Sequence, residues 1–184
     1  MKRDQTMFDV PAQLGVLRRY ARSLTRDDAD AEDLVHDALV RAYEKRGSFS
    51  PERAAAKGLR GWLLSILHNT FIDKRRARLA DDERSRRVLE LAEPAGEPAQ
   101  EHHVRLAQVR EAFMQLPEEQ RAALHLVAIE GLGYAEAAAA LGIPVGTLMS
   151  RLSRARASLR AMEEGGAARP THLRLVGGAD EPSA

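Results

Sequence analysis

Tyr134-Ala135-Glu136-Ala137-Ala138-Ala139-Ala140-Leu141-Gly142-Ile143-Pro144-Val145-Gly146-Thr147-Leu148-Met149-Ser150-Arg151-Leu152-Ser153-Arg154-Ala155-Arg156 carries two helices and the turn between them. A short alanine-rich helix, Tyr134–Leu141, meets Gly142, and a longer basic helix starts around Pro144 and runs to about Met162. Short helix, tight glycine turn and long helix make up the helix-turn-helix pattern. Leu148, Leu152, Ala155 and Leu159 recur at helical spacing and predict the face that packs on the first helix. Thr147, Ser150 and Arg154 then face away, flanked by Met149, Arg151 and Ser153. Small hydroxyls allow close approach to a major groove, and arginine can bond guanine bidentately or neutralise a phosphate. On spacing alone the stretch also fits an ordinary helical hairpin whose second helix is basic.

Helical periodicity dominates the rest of the chain, and strand signals are scarce: aromatics make up only 4%. Leu14, Leu17, Ala21 and Leu24 mark one apolar stripe. A second helix follows Asp27-Asp28, acids suited to a helix N-terminus, and turns Ala31, Leu34, Val35, Ala38, Leu39, Ala42 and Tyr43 inward before ending near Gly47. Ser50-Pro51 breaks the chain. A third helix runs from about Leu59 to Arg78, burying Trp62, Leu63, Ile66, Leu67 and Phe71 or Ile72. Between Leu79 and Glu101 the pattern loosens around Pro94, Gly96 and Pro98, with room for a short helix over Arg84–Leu91. Order returns with Leu106, Val109, Phe113 and Leu116, and a helix opened by Pro117 and Glu118-Glu119 ends at Gly131 and Gly133. The expectation is an all-α chain of two small helical domains, 10–79 and 104–162. A flexible acidic linker, 80–103, joins them, and a disordered tail follows over 163–184.

The 184 residues carry a net charge of only +1, so the distribution of charge matters more than its sum. Lys57, Arg60, Lys74, Arg75, Arg76 and Arg78 stand against the single acid Asp73. Arg151, Arg154, Arg156 and Arg160 form a second basic block, and residues 81–101 between the blocks are rich in acids. Two basic patches around an acidic spacer suggest two contact points on a polyanion, or two solvated helix faces. Absence of cysteine excludes disulfides and thiolate metal sites. No apolar run approaches the roughly 20 residues of a membrane span, and Met1-Lys2-Arg3-Asp4 leads into no secretory signal, so a cytoplasmic protein without membrane insertion is expected. No phosphate-binding glycine loop, nucleophile elbow or paired catalytic motif appears, so neither an enzyme nor a cofactor is expected. Adjacent His102 and His103 point different ways on a helix, lack partners at ligand spacing and read as linker, so no metal is expected.

Three motifs resemble one family. Leu116-Pro117-Glu118-Glu119-Gln120-Arg121, then Glu130-Gly131-Leu132-Gly133-Tyr134-Ala135-Glu136, Gly142-Ile143-Pro144-Val145-Gly146-Thr147 and Ser150-Arg151-Leu152-Ser153-Arg154-Ala155-Arg156, are similar to region 4 of the extracytoplasmic-function sigma factors. Ala31-Glu32-Asp33-Leu34-Val35-His36-Asp37 resembles the polymerase-binding helix of region 2. Leu59-Arg60-Gly61-Trp62-Leu63, Ile66-Leu67-His68-Asn69-Thr70 and Asp73-Lys74-Arg75-Arg76 resemble its promoter-melting helix. The resemblance covers roughly residues 10–162 in order. The run from Tyr20-Ala21-Arg22-Ser23-Leu24 resembles the general-stress subgroup of alphaproteobacteria.

That resemblance implies an alternative sigma factor that binds core RNA polymerase, through its β′ clamp and β subunits, and directs initiation at promoter DNA. An anti-sigma factor is the implied regulator. Asp33, Val35, His36 and Asp37 are the implied polymerase contacts, with His36 standing where relatives often carry Gln. Asn69, Lys74, Arg75 and Arg76 would hold the melted strands, and Thr147, Met149, Ser150, Arg151, Ser153 and Arg154 would read the upstream element. Met149 replaces a basic residue common among relatives. Ordinary roles stand beside these: helix-end charge for Asp33, core for Trp62, helix-end capping for Asn69. A different class of function is a sigma-like decoy that sequesters an anti-sigma protein. Known decoys carry a receiver domain and a degraded recognition helix, and this chain shows neither.

Overall fold

The computed structural model describes residues 9–49, 58–84 and 101–167, with the side chains of 81–84, 101–105 and 163–167 left out of the description. Seven α-helices follow in order: α1 Leu14–Thr25, α2 Asp28–Glu44, α3 Gly58–Arg84, α4 Glu101–Gln115, α5 Glu118–Leu124, α6 Tyr134–Leu141 and α7 Val145–Ala167. No strand occurs among the described residues.

Local chemistry sets the helix ends. Asp27 has extended backbone angles, and its carboxylate accepts from the Asp30 N–H at 2.8 Å, while Asp28 and Asp30 supply negative charge to the first turn of α2. The Glu136 carboxylate accepts from the Gly133 N–H at 2.9 Å and so anchors the start of α6. At the other end of α6, Gly142 takes a left-handed conformation (φ 65°), and the Ile143 N–H reaches back to the Ala138 carbonyl at 3.0 Å. This six-to-one closure reverses the chain into α7, and it needs a residue free of a Cβ penalty.

α1, α2 and α3 pack on one another, and α5, α6 and α7 form a second group. Ala31, Leu34, Val35, Ala38 and Ala42 are buried in the first group, as the period required. Tyr43 is not: it lies one step past Ala42 around the helix and is 64% exposed, with the Arg46 guanidinium 3.9 Å over its ring. Trp62 is half-buried against the core and tilted on Phe49, ring centroids 5.1 Å apart. In the second group Leu148, Leu152 and Ala155 are buried and Leu159 is half-buried, which is the packing stripe read from the sequence. Leu106 and Val109 of α4 stay exposed, and only Phe113 and Leu116 of that stripe reach the core.

The two groups do not stand apart. α6 lies along α3, α5 lies against α1, and the buried residues of both form one continuous cluster. Two sequence expectations, the short helix over Arg84–Leu91 and the tail, fall mostly or wholly outside the described residues, as does most of the linker.

Candidate nucleic-acid and polymerase interface

The exposed face of α2 carries Asp33, His36 and Asp37 in adjoining turns. The Lys74 ammonium lies 2.5 Å from the Asp37 carboxylate and holds that carboxyl below the usual carboxylate range. Val35 does not belong to this face. It is 3% exposed, turned into the core with Leu34 and Ala38, where no partner can touch it without unpacking the helix. The exposed apolar residues are Val40, which follows Asp33 and Asp37 at helical spacing, and Tyr43. The same spacing rule, applied to the charged face instead of the core face, would have found Val40.

Asn69 is exposed in the interior of α3, far from either helix end, so its amide caps nothing. An asparagine there costs helix propensity without local return. The basic residues beyond it are mostly engaged. Lys74 pairs with Asp37, Arg78 with Asp30 at 3.3 Å, and Arg75 reaches across to Glu118 of α5 at 2.7 Å. Arg76 is exposed and has no ion-pair partner among the described residues. Lys74, Arg75 and Arg78 rim a cleft of about 230 Å³ whose floor is Leu24, Leu34 and Phe71.

On α7, Thr147, Met149, Ser153 and Arg154 are exposed and Ser150 is half-buried. The Arg154 guanidinium donates to the Ser150 hydroxyl at 2.9 Å, one turn back on the same face, which fixes the arginine along the helix. Arg151 leaves this face: it pairs with Glu119 of α5 at 2.8 Å, and only 20% of its side chain is exposed. It braces the helix-turn-helix against α5. Arg156 and Arg160, not singled out as contacts in the sequence, line a second cleft of about 270 Å³ with Tyr134, Met149 and Ser153. They continue the helical spacing of Met149 and Ser153, the signal that would have added them. No cluster of three or more His, Cys, Asp or Glu placed to hold a metal ion occurs among the described residues, and His102 and His103 lie among the side chains left undescribed. No helix among the described residues is long and apolar enough to cross a membrane.

Residues 12–79 match the family model of Sigma-70 region 2, and residues 106–159 match that of Sigma-70, region 4. The chain is 37% identical to the extracytoplasmic-function RNA polymerase sigma factor EcfG of Rhodopseudomonas palustris, over 86% of this chain and 85% of that one. It is 36% identical to sigma factor SigM of Mycobacterium tuberculosis, over 78% and 69%. Among solved structures, the fold superposes on the sigma factor RpoE of Bartonella quintana, crystallised with the anti-sigma factor NepR. The TM-score is 0.71 at 35% identity, covering 85% of this chain and 94% of that one. It also superposes on CnrH in complex with the cytosolic domain of CnrY, with TM-score 0.60, 27% identity and coverage of 89% and 91%. Both halves of the chain, in the order and with the helices that the family requires, are therefore accounted for: it belongs to the extracytoplasmic-function subfamily of the sigma-70 family of RNA polymerase sigma factors.

Proposed function

We propose that this chain is an alternative sigma factor of the cytoplasm that acts by binding, with no catalysis of its own. The observation that carries the reading is the pairing of two surfaces on one chain. An acidic face on α2 adjoins a helix carrying Asn69 and Lys74–Arg76, and a separate helix-turn-helix presents Thr147, Met149, Ser153 and Arg154. A simple helix-turn-helix repressor has no use for the first.

Residues 10–79 form the polymerase-binding and strand-opening domain and 104–162 the upstream-element domain, joined by the acidic segment 80–103. Asp33, His36 and Asp37, with Val40, meet the β′ clamp of core polymerase. Asn69 bonds an unpaired base edge, while Lys74, Arg75 and Arg76 neutralise the backbone of the separating strands. Base pairs lost in melting are offset by these contacts. Ser150, Ser153 and Thr147 are small enough for α7 to sit deep in the major groove, with Arg154 reaching a base or phosphate.

Two relatives were solved in complexes, one with an anti-sigma factor and one with the cytosolic domain of another protein. Their likeness supports an anti-sigma factor as this chain's regulator. Run-off transcription with core polymerase on a genomic promoter library tests the function. Promoter-specific transcripts that require the chain support it. No transcript with any core polymerase supplied would leave the sigma-like decoy as the better reading.

A further inference from the structure

Val145 and Met149 stand one turn apart in the first half of α7, and both are exposed apolar side chains, at 42% and 52%. The same stripe of the helix continues with Ser153, Arg156 and Arg160, at steps of four, three and four residues from Met149. Its first half is therefore apolar and its second half cationic. Met149, Ser153, Arg156 and Arg160 line the cleft of about 270 Å³ that Tyr134, the first residue of α6, closes from the other side. A single exposed methionine needs no explanation in general. This one lies near the start of the second helix of a helix-turn-helix, the part of such a helix that meets base edges.

The charge around it points to DNA. Arg154, Arg156 and Arg160 have no ion-pair partner among the described residues, whereas Lys74, Arg75 and Arg78 of α3 are all paired. Free guanidinium groups beside the cleft suit a polyanion. The adjoining stripe of α7 is polar: Thr147, Ser150 and Arg154, with the arginine bonded back to the serine hydroxyl. One stripe thus offers hydrogen-bonding groups and the other an apolar thioether, which has no proton to donate to guanine or phosphate. Among the base edges of the major groove, the apolar group is the C5-methyl of thymine.

We propose that Met149 is a specificity-determining residue that reads one thymine of the upstream element by packing on its C5-methyl group. Arg156 and Arg160 are positioning residues. With Tyr134 across the cleft they hold a backbone phosphate, and so set the depth and register at which Met149 meets its base. The flexible thioether adapts to the methyl without a fixed rotamer. Preference at that base pair then comes from one methyl group, about fourfold in affinity. This contact rests on the promoter-binding function proposed above and names what one of its residues recognises.

The probes are promoter duplexes that reconstituted holoenzyme selects from a library randomised across the upstream element. Each thymine of the selected element is then replaced in turn by deoxyuridine, which removes the methyl and keeps every Watson–Crick bond. One replacement should weaken wild-type binding about fourfold in a competition assay. Met149→Ala should weaken the thymine duplex by a similar factor and become indifferent to that replacement, while Met149→Leu should keep the preference. Alanine is a good helix former at an exposed site, so Met149→Ala should melt like the parent. Arg156→Gln should weaken thymine and deoxyuridine duplexes alike, lower the salt slope by about one and preserve the ratio between them. A Met149→Ala variant as sensitive to the methyl as wild type, or an element in which no thymine methyl matters, would overturn the contact and leave promoter binding standing. Loss of core polymerase binding by Met149→Ala would overturn it too, by assigning this face to a protein. A holoenzyme that selects no sequence would count against the promoter-binding function itself and remove the contact with it.

Discussion

The Arg75 guanidinium of α3 lies 2.7 Å from the Glu118 carboxylate of α5, so a cation proposed to hold melted DNA is paired with an acid of the other domain. Its neighbours are held likewise, Lys74 by Asp37 and Arg78 by Asp30. The basic helix is thus close to charge-balanced in the free protein, in spite of its sequence.

Glu118→Gln removes this masking. Both side chains are partly exposed, so the pair contributes only about 0.2–1 kcal/mol to stability. The variant should bind a single-stranded promoter oligonucleotide up to about fivefold more tightly at low salt, with a small drop in melting temperature. Fluorescence anisotropy reads the first and thermal unfolding the second. Unchanged affinity would mean that Arg75 does not meet DNA.

Asp33→Arg should abolish co-elution with core polymerase while helicity and melting temperature stay near the parent values, since Asp33 is exposed and no ion pair holds it among the described residues. A reversed charge in an interface typically costs several kcal/mol. Intact co-elution would remove the clamp contact from this face.

Arg154 and Arg151 should separate cleanly, although both belong to the basic helix. Arg154→Ala should weaken upstream-element binding by about 1–3 kcal/mol with relaxed specificity at one position, or weaken all sequences alike with the salt slope reduced by about one. Arg151→Ala should lower stability instead and leave the salt slope alone, because its guanidinium is committed to Glu119. Equal effects on DNA binding would contradict that division.

Much of this was legible in the sequence, and the losses have physical causes. The α7 stripe of Leu148, Leu152 and Ala155 follows from a single helix's period, so it needed no knowledge of neighbours. The buried charges around Glu130 needed all of them: Glu130 meets Arg19 and Arg60, far away along the chain, through a π-turn over His125–Ile129 that no apolar pattern announces. Arg151 shows the same limit, since its basic neighbours in sequence suggest DNA and only the position of α5 reveals Glu119. Val35 was readable as core and as contact at once, and burial settles it as core.

Acid should destabilise the fold well above the carboxylate range. Burial lowers both His68 and His125 from 6.5 to about 4, with Arg151 and Arg19 respectively adding to it, while Glu130 partly offsets the shift at His125. Between about pH 6.5 and 4 the unfolded chain binds a proton at each that the folded chain does not, so stability falls as pH drops through that window. The slope approaches about 1.4 kcal/mol per pH unit per histidine. Urea unfolding at pH 7 and pH 5 measures it, and His68→Gln should flatten part of the dependence. Equal stability at the two values would show that these imidazoles are not buried neutral.

Promoter opening tests the account most directly, read by permanganate footprinting with reconstituted holoenzyme on duplex and pre-melted templates. Wild-type protein should render thymines near the start site reactive on duplex DNA. Asn69→Ala should reduce that reactivity and the abortive transcript yield, since one base-edge bond of roughly 1–2 kcal/mol is lost, while duplex binding stays nearly intact. A pre-melted bubble should restore only part of the yield, because strand separation is supplied but the missing bond is not. Wild-type protein that opens no promoter, or an Asn69→Ala variant that opens duplex DNA as fully as wild type, would contradict the role assigned to α3.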